Sequence, residues 1–170
     1  MGDMVMFAML FGVFLYYRAE NHALFTASQG QLNKFFGAAN LLLLLTSSWF
    51  VALALHCVRL GRGRLGARFY GLALACGLGF VIIKVLEYSE KLAGGITLLT
   101  NTFYTYYFIL TGIHFMHLNV GLGVLIYLMR SAKRINAVPL DTAAIEAGSA
   151  YWHLVDLLWV VLFPLIYLVR

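Results

Sequence analysis

Residues 102–129 read TFYTYYFILTGIHFMHLNVGLGVLIYLM, a stretch without a single Asp, Glu, Lys or Arg. Wound as an α-helix it extends ~42 Å at 1.5 Å per residue. That exceeds the ~30 Å hydrocarbon core of a bilayer, which ~20 mainly apolar residues can cross. Working outward, the same reading applies to Phe69–Tyr88, Phe35–Leu60 and Gly148–Val169, and to Met1–Tyr17 at the short limit. Polar connectors separate the runs at Arg18–Lys34, Gly61–Arg68, Ser89–Asn101 and Arg130–Ala147, and Pro139 with Asp141 marks the last as a break. The fold class expected is all-α: one domain over 1–170, an integral membrane bundle of five transmembrane helices.

Composition agrees. The 170 residues are 62% hydrophobic and 11% charged, less than half the ~25% charge of an average soluble domain. The formal charge of +5 is dispersed between apolar runs and marks topology instead of a nucleic-acid surface. Arg59, Arg62, Arg64 and Arg68 cluster around the second connector, and Arg130, Lys133 and Arg134 around the fourth. In a five-helix chain these connectors lie on one side, and excess Lys and Arg place that side in the cytoplasm. The N-terminus is then cytoplasmic and the C-terminus periplasmic. No cleavable signal peptide is expected, because the first run lacks a basic leader and Tyr16-Tyr17-Arg18 is a poor cleavage site. Cys57 and Cys76 sit apart in apolar runs, which argues against a disulfide framework or a cysteine-held metal.

Small residues recur at Gly71, Ala75 and Gly79 and at Gly112, Gly121 and Gly123, where helices can approach closely. Ionisable groups inside hydrocarbon require partners. His153 and Asp156 share a helix face at i, i+3; imidazole donating to carboxylate would make a docking pair, or a proton relay. His114 and His117 repeat the spacing. They suit interhelical hydrogen bonds, a metal, or axial ligation of haem; the other candidate ligand, His56, lies near Arg59 at a different depth. Lys84 and Glu87 form an interfacial contact on this reading, Asp3 favours the dipole of the first helix, and Asn40, Ser47 and Ser48 make a polar stripe. No phosphate loop, nucleophile elbow or HExxH motif is present.

Four segments resemble a known family. Tyr151-Trp152-His153-Leu154-Val155-Asp156-Leu157-Leu158-Trp159 resembles the YWHFVDxxW signature of cytochrome c oxidase subunit III. Leu110–Leu118 resembles its TGxHxxHV segment, Glu87-Tyr88 with Glu90 its EYxE element, and Asn40 with Leu42–Ser48 its NTxxLLxSS motif. The opening Gly2–Phe7 and the segment Leu41–His56 look most like the five-helix NorE type associated with nitric oxide reductase; subunit III of a bacterial cytochrome c or quinol oxidase is the alternative.

The resemblance implies a non-catalytic accessory subunit of a haem–copper-type respiratory complex in the bacterial inner membrane. It would carry no cofactor, with haem in its catalytic partner subunit and phospholipid bound between helix groups. Glu87, His114, His117, His153 and Asp156 become structural or lipid-proximal groups. Asp3 aligns with the family's carbodiimide-reactive glutamate and is the candidate proton-related carboxylate, although it is Asp and the family's helix begins about ten residues earlier. Two other classes compete: a membrane cytochrome b using His56, His114 or His153, and an ion or proton transporter using Asp3, Glu87 and Asp156.

Overall fold

The fold is seen in a computed structural model describing residues 2–30, 34–95, 97, 100–134 and 142–168; side chains at positions 3, 4, 22, 23 and 142 fall outside the described set. Among the described residues the chain forms α1 (Gly2–Glu20), α2 (His22–Gly30), α3 (Lys34–Arg59), α4 (Gly63–Ala93), α5 (Thr102–Lys133) and α6 (Thr142–Phe163). A π-helical turn, Pro164–Leu168, continues α6. Among the described residues, four spans are long and apolar enough to cross a membrane: α3, α4, α5 and the run Ala143–Leu168. The expected first span corresponds to α1, which is not among these four. Pro139 and Asp141 lie outside the described residues.

Helices α3 to α6 form a closed ring in which each packs on the next and α6 returns to α3, while α1 and α2 lie outside against α5. The α3–α4 hairpin is tighter than the connector expected at Gly61–Arg68. Gly61 adopts φ +72°, Arg62 N–H donates to Cys57 C=O at 2.9 Å, and Gly61 N–H donates to Val58 C=O at 3.0 Å. This is a Schellman termination, which needs a left-handed residue where glycine carries no Cβ penalty, and it lets α4 begin at once at Gly63. At the head of α5, Asn101 Oδ1 accepts from Tyr104 N–H at 3.0 Å, satisfying one of the orphan donors of a helix start.

The connector expected at Arg18–Lys34 instead contains α2. Nine residues make a marginal helix alone, so tertiary contacts sustain this one. Phe25 is fully buried, with ring centroids 5.4 Å from both Phe14 of α1 and Phe103 of α5. Gln29 Nε2 donates to Ile166 C=O of the π turn at 2.9 Å, and Asn101 Nδ2 donates to Ser28 Oγ at 3.1 Å.

Close approach is set by other glycines than the expected stripe. A Cβ at Gly77 would lie 2.7 Å from Leu122 and one at Gly121 2.9 Å from Trp152, so Trp152 is seated against glycines of α4 and α5 at once. Gly71 and Gly79 meet neighbours only at ordinary contact distance, Ala75 is exposed, and Gly112 and Gly123 face open space. The outer surface is apolar: Met116 is 69% exposed and Trp49 62%. Polar groups gather inside, the inverse of a water-soluble bundle.

Candidate functional site

The interior of the ring carries polar groups in successive layers. Nearest the far end of α4, Lys84 and Glu87 face inward one turn apart, 1% and 2% exposed, with Lys84 Nζ 2.8 Å from Glu87 Oε2. Tyr107 of α5 donates to Glu87 Oε1 at 2.8 Å, and Tyr167 of the π turn donates to the same oxygen at 2.5 Å. The ammonium also lies 4.9–5.8 Å from the ring centroids of Tyr88, Tyr107, Trp159 and Tyr167. The contact expected at the interface is therefore a buried ion pair. A carboxylate bound by three donors, with its cation enclosed by aromatic faces, satisfies both charges. Its chemistry is that of a lock joining α4, α5 and the end of α6. Alongside it, Tyr88 and Thr111 hydroxyls pair at 2.6 Å.

In the next layer His114 is fully buried between Phe80 and Trp159, at centroid distances of 5.8 and 5.2 Å. Neither ring nitrogen has a hydrogen-bond partner, which overturns the interhelical bonding expected of it. His117 does not join it: its Nδ1 pairs with Ile113 C=O at 2.9 Å, back along its own helix, and its ring meets the Phe7 ring at 5.7 Å. Asn40 is fully buried as well, its amide oxygen and nitrogen both without hydrogen-bond partners.

The third layer joins α3 to α6. Trp152 Nε1 donates to Ser47 Oγ at 3.1 Å, and Ser47 donates onward to Ala73 C=O of α4 at 2.9 Å. Ser48 Oγ and His153 Nδ1 pair at 2.5 Å. In place of a direct His153–Asp156 bond, Ser48 meets both His153 and the Asp156 carboxylate, whose Oδ1 is buried without a hydrogen-bond partner. The replacement has a physical reason. Residues at i and i+3 on one helix share a face, but a neighbouring helix can offer an oxygen directly opposite the imidazole, and Ser48 does.

The last layer pairs Tyr70 with Ser149 at 3.0 Å, and at the rim Arg59 Nη2 reaches Glu146 at 2.7 Å. His56 is exposed at the end of α3, far along the helix from Asn40. Asp3 sits in the first turn of α1, its side chain outside the described residues. Among the described residues, no group of three or more His, Cys, Asp or Glu side chains converges.

Sequence reasoning placed His114, His153 and Asp156 within the membrane-spanning helices, and the structure has His114 and Asp156 buried and His153 half-buried, while Glu87, expected at the interface, is buried as well. It missed Tyr107, Tyr167 and Trp159 as partners of that interior. The signal available was a tyrosine deep in an apolar run with an OH to satisfy.

The sequence profile of the family described as Cytochrome c oxidase subunit III matches residues 34–169, from the head of α3 past the π turn. A probable cytochrome c oxidase subunit 3 of Mycobacterium leprae (strain TN) is 28% identical over 168 residues, covering 99% of this chain and 83% of that protein. A cytochrome c oxidase subunit 3 of Synechocystis sp. is 29% identical over 167 residues, covering 98% and 70%. A quinol oxidase subunit 3 of Bacillus spizizenii is 30% identical over 126 residues, covering 74% and 62%.

Proposed function

This chain belongs to the cytochrome c oxidase subunit III family and is a multi-pass integral protein of the bacterial membrane, and from that premise we propose that it serves as the accessory subunit III of a terminal oxidase. The observation that carries the reading is similarity along nearly the whole chain to subunits named for cytochrome c oxidases, joined over three quarters of it by one named for a quinol oxidase. Those names favour the terminal-oxidase alternative over the NorE-type reading of the opening segment.

In this role the chain binds no haem or copper of its own and docks on a catalytic subunit that does. The interior supports such a part: its polar groups tie helices to each other, as the Lys84–Glu87–Tyr107–Tyr167 lock does. Docking falls to the apolar exterior. One strip of it is the outer face of α1, where Val5, Met9, Val13 and Tyr16 are exposed while Phe7 and Phe14 anchor the opposite face. α1 acts as the fifth span, with the N-terminus in the cytoplasm. The Arg59–Glu146 bridge supports that orientation, since it holds the end of α3 and the start of α6 at one rim, beside the basic start of α4.

The test is affinity purification of the tagged chain in mild detergent from aerobic and from denitrifying cells, with partners identified by mass spectrometry and redox difference spectra on each eluate. Oxidase subunits with haem in the aerobic eluate are expected. Recovery of nitric oxide reductase subunits alone would return the chain to the NorE type, and a haem spectrum from the chain without partners would sink both.

A further inference from the structure

About two helical turns separate Asn40 from Ser47 on α3, Phe80 from Ala73 on α4, His114 from Gly121 on α5 and Trp159 from Trp152 on α6. Ser47, Ala73, Gly121 and Trp152 are joined in one layer of the ring. Trp152 donates to Ser47, Ser47 donates to Ala73 C=O, and the Trp152 ring abuts Gly121. Neighbouring helices run antiparallel, so an equal step away from that layer reaches Asn40, Phe80, His114 and Trp159 together. The rings of Phe80, His114 and Trp159 do meet, at centroid distances from 4.9 to 5.8 Å. On the α3 side, a Cβ at Gly37 would lie 2.8 Å from Phe163. Asn40 is thus bracketed between the levels of Phe163 and Trp152, opposite Trp159.

The hydrogen bonding of this layer is unlike that of its neighbours. Among the described residues, Asn40 Oδ1 and Nδ2, His114 Nδ1 and Nε2, and Trp159 Nε1 are buried and bond no protein atom. All three residues are fully buried, so three helices turn polar side chains into one interior level. The layer on one side is tied by Lys84, Glu87, Tyr107 and Tyr167, and that on the other by Trp152 and Ser47. Buried polar groups are nearly always paired, with protein or with ordered water. In a bilayer core no solvent reaches the bundle from outside to pair them.

The atoms themselves define what pairs with them. Trp159 only donates, Asn40 donates and accepts, and a neutral imidazole at His114 does one of each. The ligand must accept from an N–H and donate to a ring nitrogen or an amide oxygen. A cation is disfavoured, because the Lys84 ammonium lies 4.9 Å from the Trp159 ring centroid. An anion is disfavoured too, since Glu87 already matches that ammonium and a further buried charge would have no partner. A small neutral molecule that both donates and accepts fits, and a buried water makes about three such bonds. We infer that Asn40, His114 and Trp159 form an internal water site linking α3, α5 and α6 inside the ring, with Phe80 as its apolar wall. The site goes beyond the accessory-subunit reading and stands whichever oxidase is the partner.

The experiment uses the full tagged chain, isotopically labelled at the nitrogens of tryptophan and histidine and reconstituted in lipid bilayers. Solid-state NMR reads the transfer of magnetisation from water to each indole and imidazole nitrogen. The chain has three tryptophans, and Trp49→Phe and Trp152→Phe assign their signals. Trp152 is the internal control, because its indole N–H is donated to Ser47 Oγ at 3.1 Å. Trp159 should receive magnetisation from water well before Trp152 does, and His114 should show one protonated and one unprotonated nitrogen. Asn40→Leu keeps the bulk of the side chain and removes both polar atoms. It should abolish the early transfer at Trp159 and leave Trp152 unchanged.

Transfer to Trp159 no earlier than to Trp152 would overturn the site. So would a scalar coupling between Trp159 Nε1 and a His114 nitrogen, the mark of a direct hydrogen bond. Two protonated nitrogens on His114 would put an anion there in place of water, and a shift of its signals on chelation would put a metal there. A folded Asn40→Leu chain that kept the early transfer would break the three-helix link. The comparison of Trp159 with Trp152 in the unmutated chain decides the matter even where Asn40→Leu does not fold. No readout involves a partner subunit, so loss of the oxidase assignment and loss of the water site are read separately.

Discussion

At the scale of the residue, the decisive fact is that Lys84 and Glu87 are both buried and both satisfied. Breaking a buried pair by removing one partner strands the other charge and costs about 3–5 kcal/mol, whereas removing both leaves an apolar contact that is often neutral. Glu87→Gln should therefore destabilise the detergent-solubilised protein severely, and adding Lys84→Met should restore most of the loss. Thermal unfolding of the two single variants and the double variant checks this; a double variant no better than the worse single would show the charges are not coupled. The Ser48–His153 pair is a milder case. Interhelical hydrogen bonds within membranes average about 0.6 kcal/mol and reach about 1.7, so Ser48→Ala should cost within that range. Asp156→Ala should cost less, because it removes only the contact of the carboxylate with Ser48 and leaves the Ser48–His153 pair in place. A larger loss for Asp156→Ala in the same melting assay would restore the intrahelical pair that spacing alone suggests. That pair was legible only as a shared face. Which oxygen meets an imidazole depends on what the neighbouring helix places opposite it, and a single helix's periodicity does not encode that.

At the scale of the element, helix contact is governed by where backbone approach is closest. Trp152 fills the space between Gly77 and Gly121, with Cβ positions there 2.7–3.0 Å from side-chain atoms. Gly121→Ala should overpack this contact by about 1–3 kcal/mol, while Gly123→Ala, facing open space two residues on, should be tolerated. Yield and melting temperature of the two variants in mild detergent distinguish them, and equal behaviour would show that the Trp152 contact relaxes freely. The long apolar runs made α3 to α6 readable, because a helix that must satisfy its own backbone in lipid declares itself by length and composition. The glycine stripe was readable only as a tendency: every fourth residue shares a face, but Gly71, Ala75 and Gly79 do not include the glycine that Leu122 and Trp152 press on. Helix α2 was hidden for a different reason. Its nine residues are too few to show a period, and what holds it is Phe25 between Phe14 and Phe103 and Gln29 on the π turn, all contacts distant in sequence.

At the scale of the whole molecule, two patterns support the proposed placement of the bundle in the bilayer. Apolar residues such as Met116 and Trp49 face outward while Lys84, Glu87, Thr111, His114, Ser149 and Asp156 are buried inside, the pattern of a bundle solvated by lipid. Along the axis, Arg59, Arg62, Arg64 and Arg68 collect where α3 meets α4, and Arg130, Lys133 and Arg134 where α5 ends, which the antiparallel ring brings to one rim. The expected consequence is an asymmetric labelling pattern in intact cells. With Cys57 and Cys76 replaced by alanine, a thiol introduced by Arg62→Cys should resist a membrane-impermeant maleimide until the cells are opened. One introduced by Glu90→Cys, exposed in the last turns of α4, should react at once. Excess Lys and Arg near short connectors retains them in the cytoplasm, so the reverse pattern would invert the whole chain and move the basic rim to the periplasmic side. Labelling of both thiols in intact cells would mean that α4 does not cross the membrane at all. That outcome would undo the ring, because α3, α5 and α6 pack around α4 through Ala73, Gly77 and Lys84.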